Sequence, residues 1–195
     1  MTPRRTALGF RVKSGWATAV LVVGPARAPR VADRRAVQLS DPAVPGTRQP
    51  YHAVLAASPR SAPAVERRLL GVVRRATRAS VRQLLKDCRA HGPRPNRAGI
   101  VVGSVIDPAA IGNDHIRAHA LEGRLFRTVL EQALRSEGIA CAITVERDAY
   151  ARAAKVLRRG QAVLRRVVSE LGDAIDGPWR ADEKTAVLAA WMALG

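Results

Sequence analysis

The sequence predicts an α/β domain, a mixed five-stranded sheet with helices on both faces. Three observations predict it. The first forty residues hold three β-rich runs with only short connections. Two later apolar runs each follow a long amphipathic segment. The chain of 195 residues is long enough to bury a sizeable core as one domain over residues 1–195.

The elements follow in order. Residues 7–12 and 16–23 are β-rich, and Lys13-Ser14-Gly15 between them reads as a tight turn, so a hairpin is expected. Gly24-Pro25 ends the second strand. Val31 to Ser40 supplies a third, with Val31, Val37 and Leu39 as its apolar positions. Residues 41–61 contain Pro42, Pro45, Pro50 and Pro59 and are expected to form an irregular loop. From about Ala62 to His91, Leu69, Leu70, Val73, Val81, Leu84, Leu85 and Cys88 recur at helical spacing, and Gly92-Pro93 stops the helix. Ala98 to Ile106 is a nearly continuous apolar run, which suits a central strand covered on both faces. A second helix is expected over Asp114 to Glu137, then a short buried strand over Ile139 to Val145. Helical stretches over about 149–171 and 181–194 close the chain, the latter within a C-terminal helical segment at 172–195. Three leading strands with short connections form an antiparallel meander. Strands reached through helices add in parallel.

Composition narrows the function. Hydrophobic residues make up 47% and charged residues 25%, which excludes wholesale disorder. No apolar run approaches the roughly 20 residues of a membrane helix. No secretory leader is read at the N-terminus. Cys88 and Cys141 are too few and too separate for a disulfide framework, so a cytoplasmic setting is expected. The formal net charge is +17, and lysine occurs only at Lys13, Lys86, Lys155 and Lys184, so the excess is arginine. Clustered arginine suits a polyanion, with nucleic acid as the expected partner; an Ala/Arg/Gly/Pro-rich coding bias gives the same composition. A second copy of the chain is the other partner considered. Arg67, Arg74, Arg75, Arg78 and Arg82 share the polar face of the first long helix and, with the arginines of residues 158–166, are the expected phosphate contacts. No Gly-rich phosphate loop and no Gly-x-Ser-x-Gly elbow occurs.

The opening residues sharpen the fold. Leu8-Gly9-Phe10-Arg11, a Gly-containing turn and Gly15-Trp16-Ala17 resemble the first strand pair of bacterial Holliday-junction resolvases, members of the ribonuclease H-like superfamily. Those proteins carry an apolar-Gly-apolar-Asp run shortly before Gly-Trp. Asp182-Glu183-Lys184 to Ala190 is similar to their last helix, where an acidic residue precedes an Ala-rich stretch. The resemblance implies a ribonuclease H-like fold and an Asp on the first strand that binds Mg²⁺ or Mn²⁺. Here Arg11 stands at that position with Lys13 nearby. A cationic side chain repels a metal ion and cannot ligate it. The resemblance therefore implies a nucleic-acid-associated protein with a degenerate metal site, Arg11 and Lys13 joining the nucleic-acid-binding residues.

The second helix carries the candidate pocket. At about 100° per residue, His115, His119 and Glu122 share a sector with Leu125, Phe126 and Val129, while Arg117, Arg124 and Arg127 lie opposite. Three readings stay open: metal ligation, an acid–base or phosphate-binding pocket, and satisfied polar residues at the rim of a core, with Arg11 as a partner for Glu122. No residue is assigned as a metal ligand on this evidence. Asp107, after the central strand, and Glu146, after the last strand, complete a pocket expected at one sheet edge. If that pocket is an enzyme, it is a metal-assisted phosphodiesterase using Mg²⁺ or Mn²⁺. A third reading is a basic scaffold that docks an acidic partner.

Overall fold

A computed structural model describes residues 5–195. Strands β1 (Thr6–Lys13), β2 (Trp16–Val23), β3 (Arg30–Gln38), β4 (Arg97–Val102) and β5 (Ala140–Val145) form one sheet in the order β3-β2-β1-β4-β5. β1–β2 and β2–β3 pair antiparallel, and β1–β4 and β4–β5 pair parallel. The mixed five-stranded sheet is as expected, including the hairpin, where Lys13 opposes Trp16 and Gly15 adopts a φ of 83°.

Strand alternation divides the core into two layers. Leu8, Phe10 and Val12 of β1 join Val73, Leu84, Phe126 and Leu130 from helices α2 (Ala62–Cys88) and α3 (Asp114–Ser136). Val20 and Val22 of β2 join Ala153, Leu164 and Trp191 on the other face, from α4 (Ala149–Leu157), α5 (Gln161–Glu170) and α6 (Ala181–Leu194). Trp191 is fully buried and donates through Nε1 to the Ala26 carbonyl at 2.7 Å, so it is a packing residue.

Helix α6 lies directly on the sheet because the sheet has no side chains beneath it there. A Cβ built on Gly9 would stand 1.9 Å from the Ala186 carbonyl oxygen, and one on Gly99 2.4 Å from that of Ala189. The two glycines let helix backbone meet strand backbone. That contact brings the N-terminal turn of α6 over the C-terminal end of β1.

The structure departs from the sequence expectations at four places. The segment 41–61 is not wholly irregular, because α1 (Pro50–Leu55) forms inside it, with Pro50 fixing the first-turn φ. β4 ends at Val102 rather than Ile106; the chain leaves the sheet at Gly103, and Val105 and Ile106 are each 57% exposed. β5 is an edge strand with alternating exposure, not a buried one. The stretch 149–171 is two helices, broken where Arg158 turns left-handed at φ 52° ahead of Gly160.

At the outer strand β3, Arg34 donates to the Asp176 carbonyl at 3.1 Å, and Arg35 binds Asp33 at 2.7 Å and Asp87 at 2.6 Å. Among the described residues no helix is long and apolar enough to cross a membrane.

Cys88 packs in the α2 layer at 1% exposure, and burial pushes its thiol from an ordinary value of 9.0 up to about 11. The folded chain thus holds a proton that the unfolded chain releases near 9. The stabilisation is complete below that pH and is lost as pH rises through about 11. It amounts to about 2–3 kcal/mol. Denaturation of wild type against Cys88→Ala should show a stability difference that shrinks across this window. A difference independent of pH would refute it.

Candidate functional site

The expected single pocket is in fact two clusters on opposite faces of the sheet. The first gathers at the C-terminal ends of β1, β4 and β5. In-register parallel pairing sets Arg11 beside Val101, and Val102 beside Val145, so Glu146 emerges at the same end of the sheet as Arg11, across β4 from it. Alternation sends the Arg11 side chain to the α6 face, away from Phe10 and Val12. There it is 6% exposed.

Arg11 makes a two-pronged contact with Glu146: Nη2 to Oε2 at 2.5 Å and Nε to Oε1 at 3.2 Å. Its Nη1 donates to the Val12 carbonyl at 2.8 Å, and its Nε lies 4.0 Å from Asp182 Oδ1. Lys13, two residues on and so on the same face, reaches Asp182 Oδ1 at 3.0 Å. Two cationic side chains and two carboxylates therefore neutralise each other where parallel strand ends meet the start of α6. The planar fork of arginine matches a carboxylate edge to edge, which a lysine could not do at the same place. Asp182 is also a first-turn acid of α6, and Glu183 accepts from the Arg180 backbone N–H at 3.0 Å, so the helix start is capped as well as paired. Arg11 is accordingly not the partner of Glu122.

The second cluster lies on the α2–α3 face. α3 begins with Asn113, whose Oδ1 accepts from the Ile116 N–H at 3.0 Å, and His115 and His119 follow one turn apart on the same side. Both side chains are exposed, although the sector they share carries Phe126 into the core further along the helix. Glu122 is fully buried. Its Oε1 accepts from the backbone N–H of His52 at 3.3 Å and lies 2.8 Å from His52 Nδ1. The His52 ring stands 4.3 Å from that of His119 and 4.7 Å from that of His115, centre to centre. His119 Nδ1 is 3.9 Å from Glu122 Oε2.

His52 was missed by reading the sequence, because it sits in the proline-rich segment and has no periodicity to place it. Pro50, as the first residue of a helical turn, was the available signal. Asp107 joins neither cluster. It is exposed, and its carboxylate accepts from the Ala109 N–H at 3.1 Å, capping a 3-10 turn. Arg67, Arg74, Arg75, Arg78 and Arg82 are all exposed along α2. Arg82 is tied to Glu137 at 3.1 Å, while the other four have no ion-pair partner among the described residues. Of the arginines at 158–166, Arg165 stacks over Tyr150 at 4.0 Å, Arg159 lies over the Trp191 ring at 5.5 Å, and Arg166 reaches Glu170 at 3.6 Å, so this group is largely engaged within the protein.

No family model matches the chain, and no curated protein matches its sequence. Solved structures do. The Thermus thermophilus RuvC structure matches with a TM-score of 0.54 at 9% identity, over 96% of this chain and 92% of that one. T. thermophilus RuvC in complex with a Holliday junction substrate matches with a TM-score of 0.55 at 11% identity, over 96% and 91%. The yeast mitochondrial Holliday junction resolvase Ydc2 matches with a TM-score of 0.51 at 10% identity, over 98% and 78%. The backbone thus matches these structures over nearly the whole chain, and the fold is the ribonuclease H-like fold of the Holliday-junction resolvases.

Proposed function

We propose that this protein binds nucleic acid and does not cut it by the two-metal route. The observation that carries the reading is Arg11. A two-metal centre needs carboxylates whose charge is free to hold cations. Here Glu146 and Asp182 face a guanidinium and an ammonium instead. The unpaired arginines of α2, the net charge of +17 and the structural likeness to a junction-bound RuvC support a phosphate-backbone partner.

The test is fluorescence anisotropy with a four-way junction and a linear duplex across a salt series. Affinity should fall steeply with salt. Replacing Arg67, Arg74, Arg75 and Arg78 together by serine should reduce the log–log slope by about 3–4. An unchanged slope would sink the α2 contact surface, and Mn²⁺-dependent cleavage of either substrate would sink the non-cutting assignment. Equal retention on heparin and on a carboxylate resin would favour docking to an acidic protein.

A second reading, metal-assisted phosphodiester hydrolysis at the histidine cluster, draws on the meeting of His52, His115 and His119. Glu122 would orient a ligand there, and neither Asp107 nor Glu146 would take part.

A further inference from the structure

The histidine cluster has features that a polar rim does not need. One ring nitrogen from each of His52, His115 and His119 lies within 4.8 Å of the other two. His115 Nε2 and His119 Nε2 are 3.3 Å apart. Four-coordinate zinc with Zn–N bonds of about 2.0–2.1 Å sets its ligand nitrogens about 3.3–3.4 Å apart. The pair on α3 already has that spacing, and the wider separations close by rotation of the two exposed rings.

The buried side of the cluster supplies the second observation. Glu122 Oε1 holds the Nδ1 side of His52, which places the ring proton on Nδ1 and a lone pair on Nε2. That Nε2 is buried and has no hydrogen-bond partner. A buried polar nitrogen left bare is unfavourable, so its place needs a reason. A carboxylate that grips one nitrogen of a histidine and frees the other for a cation is the usual support of a metal-bound imidazole. Three neutral imidazoles suit Zn²⁺ and its borderline neighbours rather than Mg²⁺, which prefers oxygen.

We infer that His52, His115 and His119 bind one divalent transition-metal ion of the zinc class, with Glu122 fixing the His52 ring from behind. The fourth position opens to solvent, because His115 and His119 are exposed. The ion ties α1 to the first turns of α3, so its binding is coupled to the stability of the segment around α1. This site lies on the opposite face from Arg11, and it stands whether or not the chain binds nucleic acid.

The experiment is calorimetric titration of the EDTA-stripped full-length protein with ZnCl₂, alongside thermal unfolding. We expect one ion per chain and a rise in Tm of at least about 3 °C that EDTA reverses. His115→Ala and His119→Ala change exposed side chains and should fold; each should weaken zinc binding at least about 100-fold and abolish the Tm shift. Glu122→Gln should weaken binding about 10–100-fold. His91→Ala, which alters the remaining histidine, should bind like wild type. With Co²⁺ as the probe, wild type should show the intense visible bands of tetrahedral coordination, and His119→Ala should lose them. The inference is overturned if zinc does not bind stoichiometrically, or if binding survives unchanged in His115→Ala and His119→Ala. Failure of Glu122→Gln to fold would leave those exposed variants as the deciding measurement. Loss of zinc binding in them with junction affinity intact separates this site from the nucleic-acid surface.

Discussion

Gly9→Ala is expected to destabilise the protein by at least about 3 kcal/mol, a large share of the roughly 5–15 kcal/mol that holds a typical domain folded. The added Cβ would stand 1.9 Å from the Ala186 carbonyl oxygen and 2.5 Å from the Ala190 amide nitrogen. Both are backbone atoms of α6, so no side chain can rotate aside. The helix must lift or β1 must bend. Either movement opens the layer around the fully buried Ala186, Ala190 and Trp191. Gly123→Ala is the matched control. Its Cβ meets nothing within 4 Å, and it lies in the interior of α3. It should stabilise by about 0.5–1 kcal/mol through helix propensity and reduced freedom of the unfolded chain. Urea denaturation of the two variants against wild type measures both. Equal stability of Gly9→Ala and wild type would show that α6 does not rest on β1 as described.

The second large effect is expected from Arg11→Asp. The substitution removes the guanidinium from Glu146 and Asp182 and faces them with a third carboxylate. Arg11 is buried but the Glu146 side chain is 41% exposed, so breaking this half-buried pair costs less than a fully buried one, about 2 kcal/mol. Mn²⁺ should recover much of the loss, because converging carboxylates then have a cation to share. The Tm of Arg11→Asp should therefore rise with Mn²⁺ in a protein that also carries His115→Ala, which separates the effect from the histidine cluster. Arg11→Met should cost less than Arg11→Asp, since Glu146 keeps access to water on its exposed side and no repulsion is introduced. If Arg11→Asp is as stable as wild type in EDTA, the ion-pair account of this cluster is wrong.

Much of the fold was legible because local chemistry encodes it. The hairpin follows from β-rich flanks around Gly15, and α2 and α3 from apolar spacing that matches one helical face. What the chain brings together from afar was not legible. Arg11 and Glu146 are 135 residues apart, and only the in-register alignment of β1, β4 and β5 joins them. The inward placement of Glu122 could be read from helical phase. Its partner could not, since His52 lies 70 residues earlier in a segment dominated by proline. The exposure of His115 and His119 was hidden for a related reason. Helical phase says which side a residue takes, but not where along the helix its covering neighbour ends. The break at Arg158 was also obscure, because the residues on either side keep a helical pattern and a single left-handed residue leaves little trace in composition.

The anchored arginines along β3 have a consequence for assembly. An outermost strand with free backbone amides and carbonyls invites another strand to zip alongside, and flat apolar margins do so readily. Here Arg34 and Arg35 are strapped to carboxylate and carbonyl groups at that margin, so an incoming strand meets cationic side chains that cannot swing clear without breaking those bonds. Growth of the sheet from one molecule into the next is opposed at this edge.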